Sequence, residues 1–170
     1  MLFKEFGNFN SAEEINQKAA ELLAAGDAKA IRRLAEENGI DKEDAEAYVD
    51  GDEEMLCTDL MAALGKLDVE AKELEIGGVL NDWTNYIRDL CMDEKVMVSA
   101  VRRKDRSLAE CMARLIRFAF ENKVQVSDQI VSITKVIHSG KEKKMRGPLY
   151  LGFPDRVTAK KLIHEYYLGR

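Results

Sequence analysis

Apolar residues recur three and four positions apart along most of this chain, a period that predicts helices. The clearest case is Arg102 to Lys123, RRKDRSLAECMARLIRFAFENK. Ser107 with Glu110 three positions later reads as a capping box that opens a helix. Leu108, Cys111, Met112, Leu115 and Ala119 then form one stripe, and Glu110, Arg114, Arg117 and Glu121 fall opposite. Phe118 and Phe120 widen the apolar side, so this helix is expected to touch more than one neighbour and to be the most buried.

The rest of the chain reads the same way. Leu2, Phe3, Phe6 and Phe9 are expected to pin the N-terminus to the body. Ser11 with Glu14 opens a helix that Gly26 ends. Asp27 opens a second, stopped by Asn38-Gly39, and Asp41 a third over Lys42 to Asp50, closed by Gly51. These three make a small module over 1–52, and 53–170 is read as the main helical domain. A long helix is predicted over Glu53 to Leu74, with Gly65 as a close packing point or a kink. Gly77-Gly78 breaks the chain before a helix over Val79 to Met92, where Trp83, Ile87 and Leu90 share the inner stripe. A short apolar run covers Val96 to Val101. Ser127 is read as the cap of a helix over Asp128 to His138 with Ile130, Val131, Thr134 and Ile137 inward. Ser139 to Gly152 reads as a long polar loop, and Pro154-Asp155 opens the last helix. The expected fold class is therefore all-α, an irregular bundle of eight or nine helices with no sheet of consequence.

Length and composition change little. A chain of 170 residues with 46% apolar and 34% charged residues buries a core and keeps a well-solvated surface. Charge changes more. The net of −5 conceals an asymmetry: Val101 to Arg170 holds 16 Lys+Arg against 7 Asp+Glu, a net of +9, and the first hundred residues carry a net of −14. Such a chain offers a basic face to phosphate and an acidic face to basic protein, unless the two halves neutralise each other. The acidic run Asp41 to Glu54 lacks the ligand order of a calcium loop and reads as a solvated face.

Candidate chemistry is sparse. Cys57, Cys91 and Cys111 are far apart, sit in apolar helical patterns and form no CxxC pair, which favours buried free thiols in a reducing cytoplasm over zinc. His138 and His164 belong to no triad or HExxH pattern, and no phosphate-binding glycine loop is present. No secretory signal or membrane-length apolar run is read. The expectation is a cytoplasmic, non-enzymatic protein with no catalytic residue, metal or cofactor. Three basic groups remain as candidates for nucleic acid or ribonucleoprotein: Arg102, Arg103, Lys104 and Arg106 before the central helix; Lys141, Lys143, Lys144 and Arg146 in the loop; and Arg156, Lys160 and Lys161 on the last helix. The first and third groups are expected to form one exposed patch facing phosphate. The alternative is a solvated basic surface, and no recognition-helix signature points to sequence readout.

Taken together, KDRSLAECMARLIRFAFENK, VSDQIVSITKV and the terminal IHEYYLG resemble PcfK-like proteins of clostridial phages and conjugative elements. Those share a basic turn, S-L-x-x-C, a helix, a V-x-D step and a last helix ending in tyrosines. Upstream, FNSAEEINQKAAELLAAGD, LAEENGID, LCTDLMAALGKLDVEA and DWTNYIRDLCMDEKVMVSAVRRK are similar to anti-CRISPR proteins that inhibit Cas9. The resemblance spans nearly the whole chain and rests on helical patterns, so it transfers no functional residue; GKEKKMRGPLYLGFP has no counterpart in it. It implies a non-enzymatic inhibitor from a mobile element that acts in a bacterial cytoplasm. Such a protein binds a Cas9–guide RNA complex and blocks target DNA binding or cleavage. Cas9 holds its heteroduplex in a positively charged channel, which an acidic surface fits, while a basic surface suits guide RNA or target DNA. The alternative is a nucleic-acid-binding accessory protein of a conjugative element; a third reading is a plain protein-interaction module.

Overall fold

The computed structural model describes residues 2–169. Among the described residues nine helices hold 61% and short strands 7%, so the mostly helical class is as expected. The chain divides into two compact units, residues 1–112 with 163–170, and residues 113–162. Residue 52, the boundary read from the sequence, lies inside the first unit.

The first unit opens with α1 (Ala12–Ala24), α2 (Ala28–Glu37) and α3 (Lys42–Asp50). Two of their N-caps bond as the sequence indicates, whereas Asp41 stands at the N-cap of α3 without a side-chain cap bond. Ser11 Oγ accepts the Glu14 amide, Asp27 Oδ1 accepts the Ala30 amide, and Gly51 ends α3 at a φ of 84°. Glu37 accepts the amides of Glu5 and Phe6, which ties the N-terminal segment down. Ile15, Ile31, Leu34, Ile40 and Tyr48 pack into one core, and Leu56, Cys57 and Ala62 continue it beyond the module.

The next helix, α4 (Asp59–Glu73), begins six residues later than the apolar pattern indicates. Asn16 of α1 is the cause. Its side chain donates to the Cys57 carbonyl at 2.8 Å and accepts the Cys57 amide at 3.0 Å, so both backbone groups are taken before a helix uses them. Thr58 then caps α4 through the Met61 amide. Midway along α4, Gly65 meets Asn38-Gly39 backbone to backbone, which settles its role as a packing point. Helices α5 (Val79–Asp93) and α6 (Lys95–Arg102) complete the layer, with Trp83, Ile87, Leu90, Met97 and Val101 buried.

From there the chain enters α7 (Leu108–Glu121), which runs on into the second unit. Leu108, Cys111, Met112 and Leu115 are buried as the stripe requires. Phe120, however, is 68% exposed, so the apolar side of α7 is narrower than expected. Nor is α7 the most buried helix: α6 buries Met97, Val98, Ala100, Val101 and Arg102 out of eight residues. Leu115→Ala is expected to cost about 2–5 kcal/mol, as a large-to-small change at a closed site, read as a shift in the urea midpoint. A loss under about 0.5 kcal/mol, the range of surface changes, would put the stripe on the wrong face.

In the second unit the helical expectation fails over a defined stretch. Helix α8 (Asp128–Ile133) is one and a half turns long, and Lys135–His138 is a strand, β2. It pairs antiparallel with β3 (Lys141–Lys144) in the segment read as a loop. The turn between them is Ser139-Gly140, with φ of 51° and 72°. Two consecutive positive φ values give the two-residue turn whose twist matches a hairpin. A second short ladder joins β1 (Val124–Gln125) to β4 (Tyr150–Leu151). Helix α9 (Arg156–Leu168), opened by Asp155 on the Thr158 amide, returns the chain to the first unit. Among the described residues no helix is long and apolar enough to cross a membrane.

Candidate nucleic-acid interface

Of the three basic groups, the turn before α7 differs most from expectation. Arg102 is buried, 2% exposed, and is removed from the surface patch. Its Nη2 donates to Asn38 Oδ1 at 2.8 Å, and the guanidinium lies 5.9 Å from the Phe3 ring centroid. Burial draws its pKa down to about 10, against the pull of Cys57 and Glu70, and still leaves it charged at neutral pH. Arg103 and Arg106 reach the surface, but both grip Asp105, at 2.6 and 3.1 Å. Hydrogen bonding from Arg103 holds the Asp105 carboxyl below its usual range. Arg106 also sits 5.5 Å from the Tyr166 ring centroid. Lys104 is exposed, and its amide donates to Asn10 Oδ1.

A buried lysine holds the turn from beneath. Lys66 of α4 is 1% exposed, and its Nζ donates to the carbonyls of Arg103, Arg106 and Val101 at 2.5, 2.6 and 3.1 Å. Glu70, one turn on, lies 3.9 Å away and accepts the Leu108 amide at 2.7 Å. Burial draws the Lys66 ammonium down to about 8, partly offset by Glu70, and pushes the Glu70 carboxyl up. The capping box of α7 is completed through a tyrosine. Ser107 Oγ accepts the Glu110 amide, while the Ser107 amide donates to Tyr166 Oη and that hydroxyl donates to Glu110 Oε2. The turn is thus a structural joint with one arginine inside and two paired to an internal acid.

The second group is the most exposed. Lys141, Lys143 and Lys144 lie on β3 and Arg146 just after it, all at the surface. The ladder adds Lys135 and His138, which a helical reading of 128–138 placed on a different element. Registered opposite each other are Lys135 and Lys144, Val136 and Lys143, Ile137 and Glu142, His138 and Lys141. In the third group, Arg156 and Lys161 are exposed and Lys160 is half-buried on α9. His164, aligned with them in sequence, lies in the first unit with Nε2 3.1 Å from Glu94 Oε2.

The second unit also leaves large apolar groups open to solvent. Ile133, Ile137 and Val157 are each about four-fifths exposed, and Val124, Ile130 and Phe153 more than half. Ile130 and Ile137, read as inward, therefore face out, and Val131 alone of that set is fully buried.

A cleft in the first unit is bordered by Arg32, Glu36, Asp41, Lys42, Asp68 and Lys72, with no His, Cys, Ser or Thr in its lining. Cys57, Cys91 and Cys111 are buried thiols, and burial raises the pKa of Cys57 to about 11 and of Cys91 to about 12. Neither is a thiolate at neutral pH. No group of three or more His, Cys, Asp or Glu suited to a metal ion occurs among the described residues. Comparison with protein-family models, curated proteins and solved structures finds no match for this chain.

Proposed function

We propose that this protein acts by binding, and that its target is a Cas9–guide RNA complex whose DNA binding or cleavage it blocks. The observation that carries the binding reading is the surface of the second unit. A lysine-rich hairpin stands in solvent there, and the same unit exposes Ile133, Phe153 and Val157. Cationic side chains meet phosphate, and exposed apolar side chains meet protein. A ribonucleoprotein offers both. The choice of Cas9 rests on the resemblance of the helical segments, not on the hairpin.

The acidic helices of the first unit support the same target. Asp41, Glu43, Asp50 and Glu53 are exposed, a surface suited to a positively charged nucleic-acid channel. The hairpin suits equally the alternative reading, a nucleic-acid-binding accessory protein of a conjugative element, which needs no Cas9.

The deciding experiment mixes the purified chain with Cas9–guide complexes of several type II systems and follows cleavage of a matched duplex. Loss of cleavage at stoichiometric protein, with the chain co-eluting with the complex, is the expected result. Unchanged cleavage and no co-elution across the panel sink the Cas9 reading. A shift of bare DNA in that case supports the accessory alternative.

A further inference from the structure

The geometry points to one face of the β2–β3 hairpin as a binding face for the phosphate backbone of duplex DNA, formed by His138, Lys141 and Lys143. This rests on the reading that the second unit meets nucleic acid, and it names the ligand and the face.

Side chains alternate across a strand, and residues opposite each other in a ladder share a face. The register therefore sorts the hairpin into two sides. One carries Lys135, Ile137, Glu142 and Lys144, and there Lys135 Nζ bonds Glu142 Oε2 at 2.9 Å. The other carries Val136, His138, Lys141 and Lys143 and has no acid. The sequence gives the ladder one carboxylate and places it on the first side only.

Hairpin energetics argue that the second side meets an anion. Two-stranded hairpins are marginal by themselves, and like charges opposite one another weaken them further. Here Lys135 stands opposite Lys144, and on the second side Lys141 and Lys143 lie two residues apart on one strand and share a face. Glu142 relieves the first pair. No residue of the ladder relieves the second side. A polyanion lying along that side does so.

Shape and composition select the polyanion. The major groove of B-DNA admits a two-stranded ribbon, whereas that of A-form RNA is too deep and narrow for side chains to read. Single-strand platforms stack bases on aromatic rings, and Lys135 to Lys144 contains no Phe, Tyr or Trp. Lysines at the tip and along one edge position a backbone without reading bases, so binding is insensitive to sequence.

The test uses the full-length chain and a fluorescent mixed-sequence duplex of about 20 base pairs, a length chosen to span two helical turns. Affinity is followed from about 50 to about 200 mM salt, the range over which phosphate contacts are lost. The parent is expected to weaken linearly on a log–log plot. K141Q/K143Q should lower the slope by about 2, near 0.9 for each lost phosphate contact, so its loss of affinity over that range is smaller by about tenfold. K135Q/K144Q removes the same charge from the other face and should leave the slope nearly as it was. Equal effects of the two pairs overturn the assignment of a face. A parent slope near zero overturns phosphate binding and favours a protein ligand. Tighter binding of single-stranded RNA of equal length overturns the duplex. No Cas9 is present, so loss of the Cas9 reading leaves this result standing, and a negative result here leaves a cleavage effect to other surfaces.

Discussion

Lys66→Met is expected to remove about 3–5 kcal/mol of stability, the scale for breaking a buried charge pair by deleting one partner. The methionine fills much of the lysine's volume, so the loss is not chiefly a cavity. Three carbonyls lose their donor together, those of Val101, Arg103 and Arg106. Glu70, 6% exposed, is left without the ammonium that faces it. At a pKa of about 8, Lys66 is mainly charged at pH 7, so its ammonium is the species that holds the turn. A second variant separates the two parts of the loss. Glu70→Gln keeps an acceptor for the Leu108 amide and removes the stranded charge, so the double variant should lose less than the sum of the singles. Urea unfolding measures all four proteins. A loss below about 1 kcal/mol for Lys66→Met, little more than one ordinary hydrogen bond, would mean that the turn holds itself.

This buried lysine shows what the pattern of residues conveyed and what it did not. Helical stripes were legible because apolar burial imposes a period, and Ile15, Ile31, Leu34, Leu67, Ile87 and Leu115 lie at full burial where the period puts them. Charged residues inside a fold follow no period. Lys66 sits among Leu64, Gly65 and Leu67 in a helix, where a lysine is ordinarily taken for a solvent-facing residue. Only its approach to carbonyls 35 to 40 residues away explains its burial. Arg102 was misplaced for the same reason. Four basic residues in a row of five read as a phosphate patch, yet the first turns inward to Asn38 and Asp105 takes up two of the others. Reversing the charge at Arg102 would therefore strike the core, so Lys141 and Lys143 replace it as the residues that test phosphate binding.

The hairpin was legible in part. Ser-Gly is a turn dipeptide, and Lys135 to His138 contains two β-branched residues beside it. Against this, Ser127 to Thr134 matches a helix, and its apolar period continues past Ile133, where the helix ends. Thr134 marks the change: its hydroxyl bonds the Ile130 carbonyl behind it, while its own carbonyl accepts the Met145 amide across the hairpin. The long-range bond decides the strand, and no local pattern announces it.

Gly65→Ala is expected to destabilise the first unit by about 1–3 kcal/mol or more, the cost of overpacking a close contact. Propensity alone argues the reverse. Gly65 lies inside α4, where alanine is favoured over glycine by about 0.8–1 kcal/mol. A methyl at this position, however, falls 2.3 Å from the Asn38 carbonyl oxygen and 2.7 Å from that of Gly39. Both atoms are backbone, so no side chain swings aside, and the segment must move as a whole. Asn38 is poorly placed to do so. Its Nδ2 donates to the Leu34 carbonyl, and its Oδ1 holds the buried Arg102. Displacing it strains the only side-chain hydrogen bond of a buried guanidinium among those described, a group costly to leave unsatisfied. Gly39→Ala should be worse, because its φ of 67° adds backbone strain to a contact of 2.3 Å with the Gly65 carbonyl. Paired urea curves give the order parent, Gly65→Ala, Gly39→Ala from most to least stable. If Gly65→Ala instead proves more stable than the parent, helix propensity governs the position and the backbones of α4 and the Asn38-Gly39 turn are not in contact in solution.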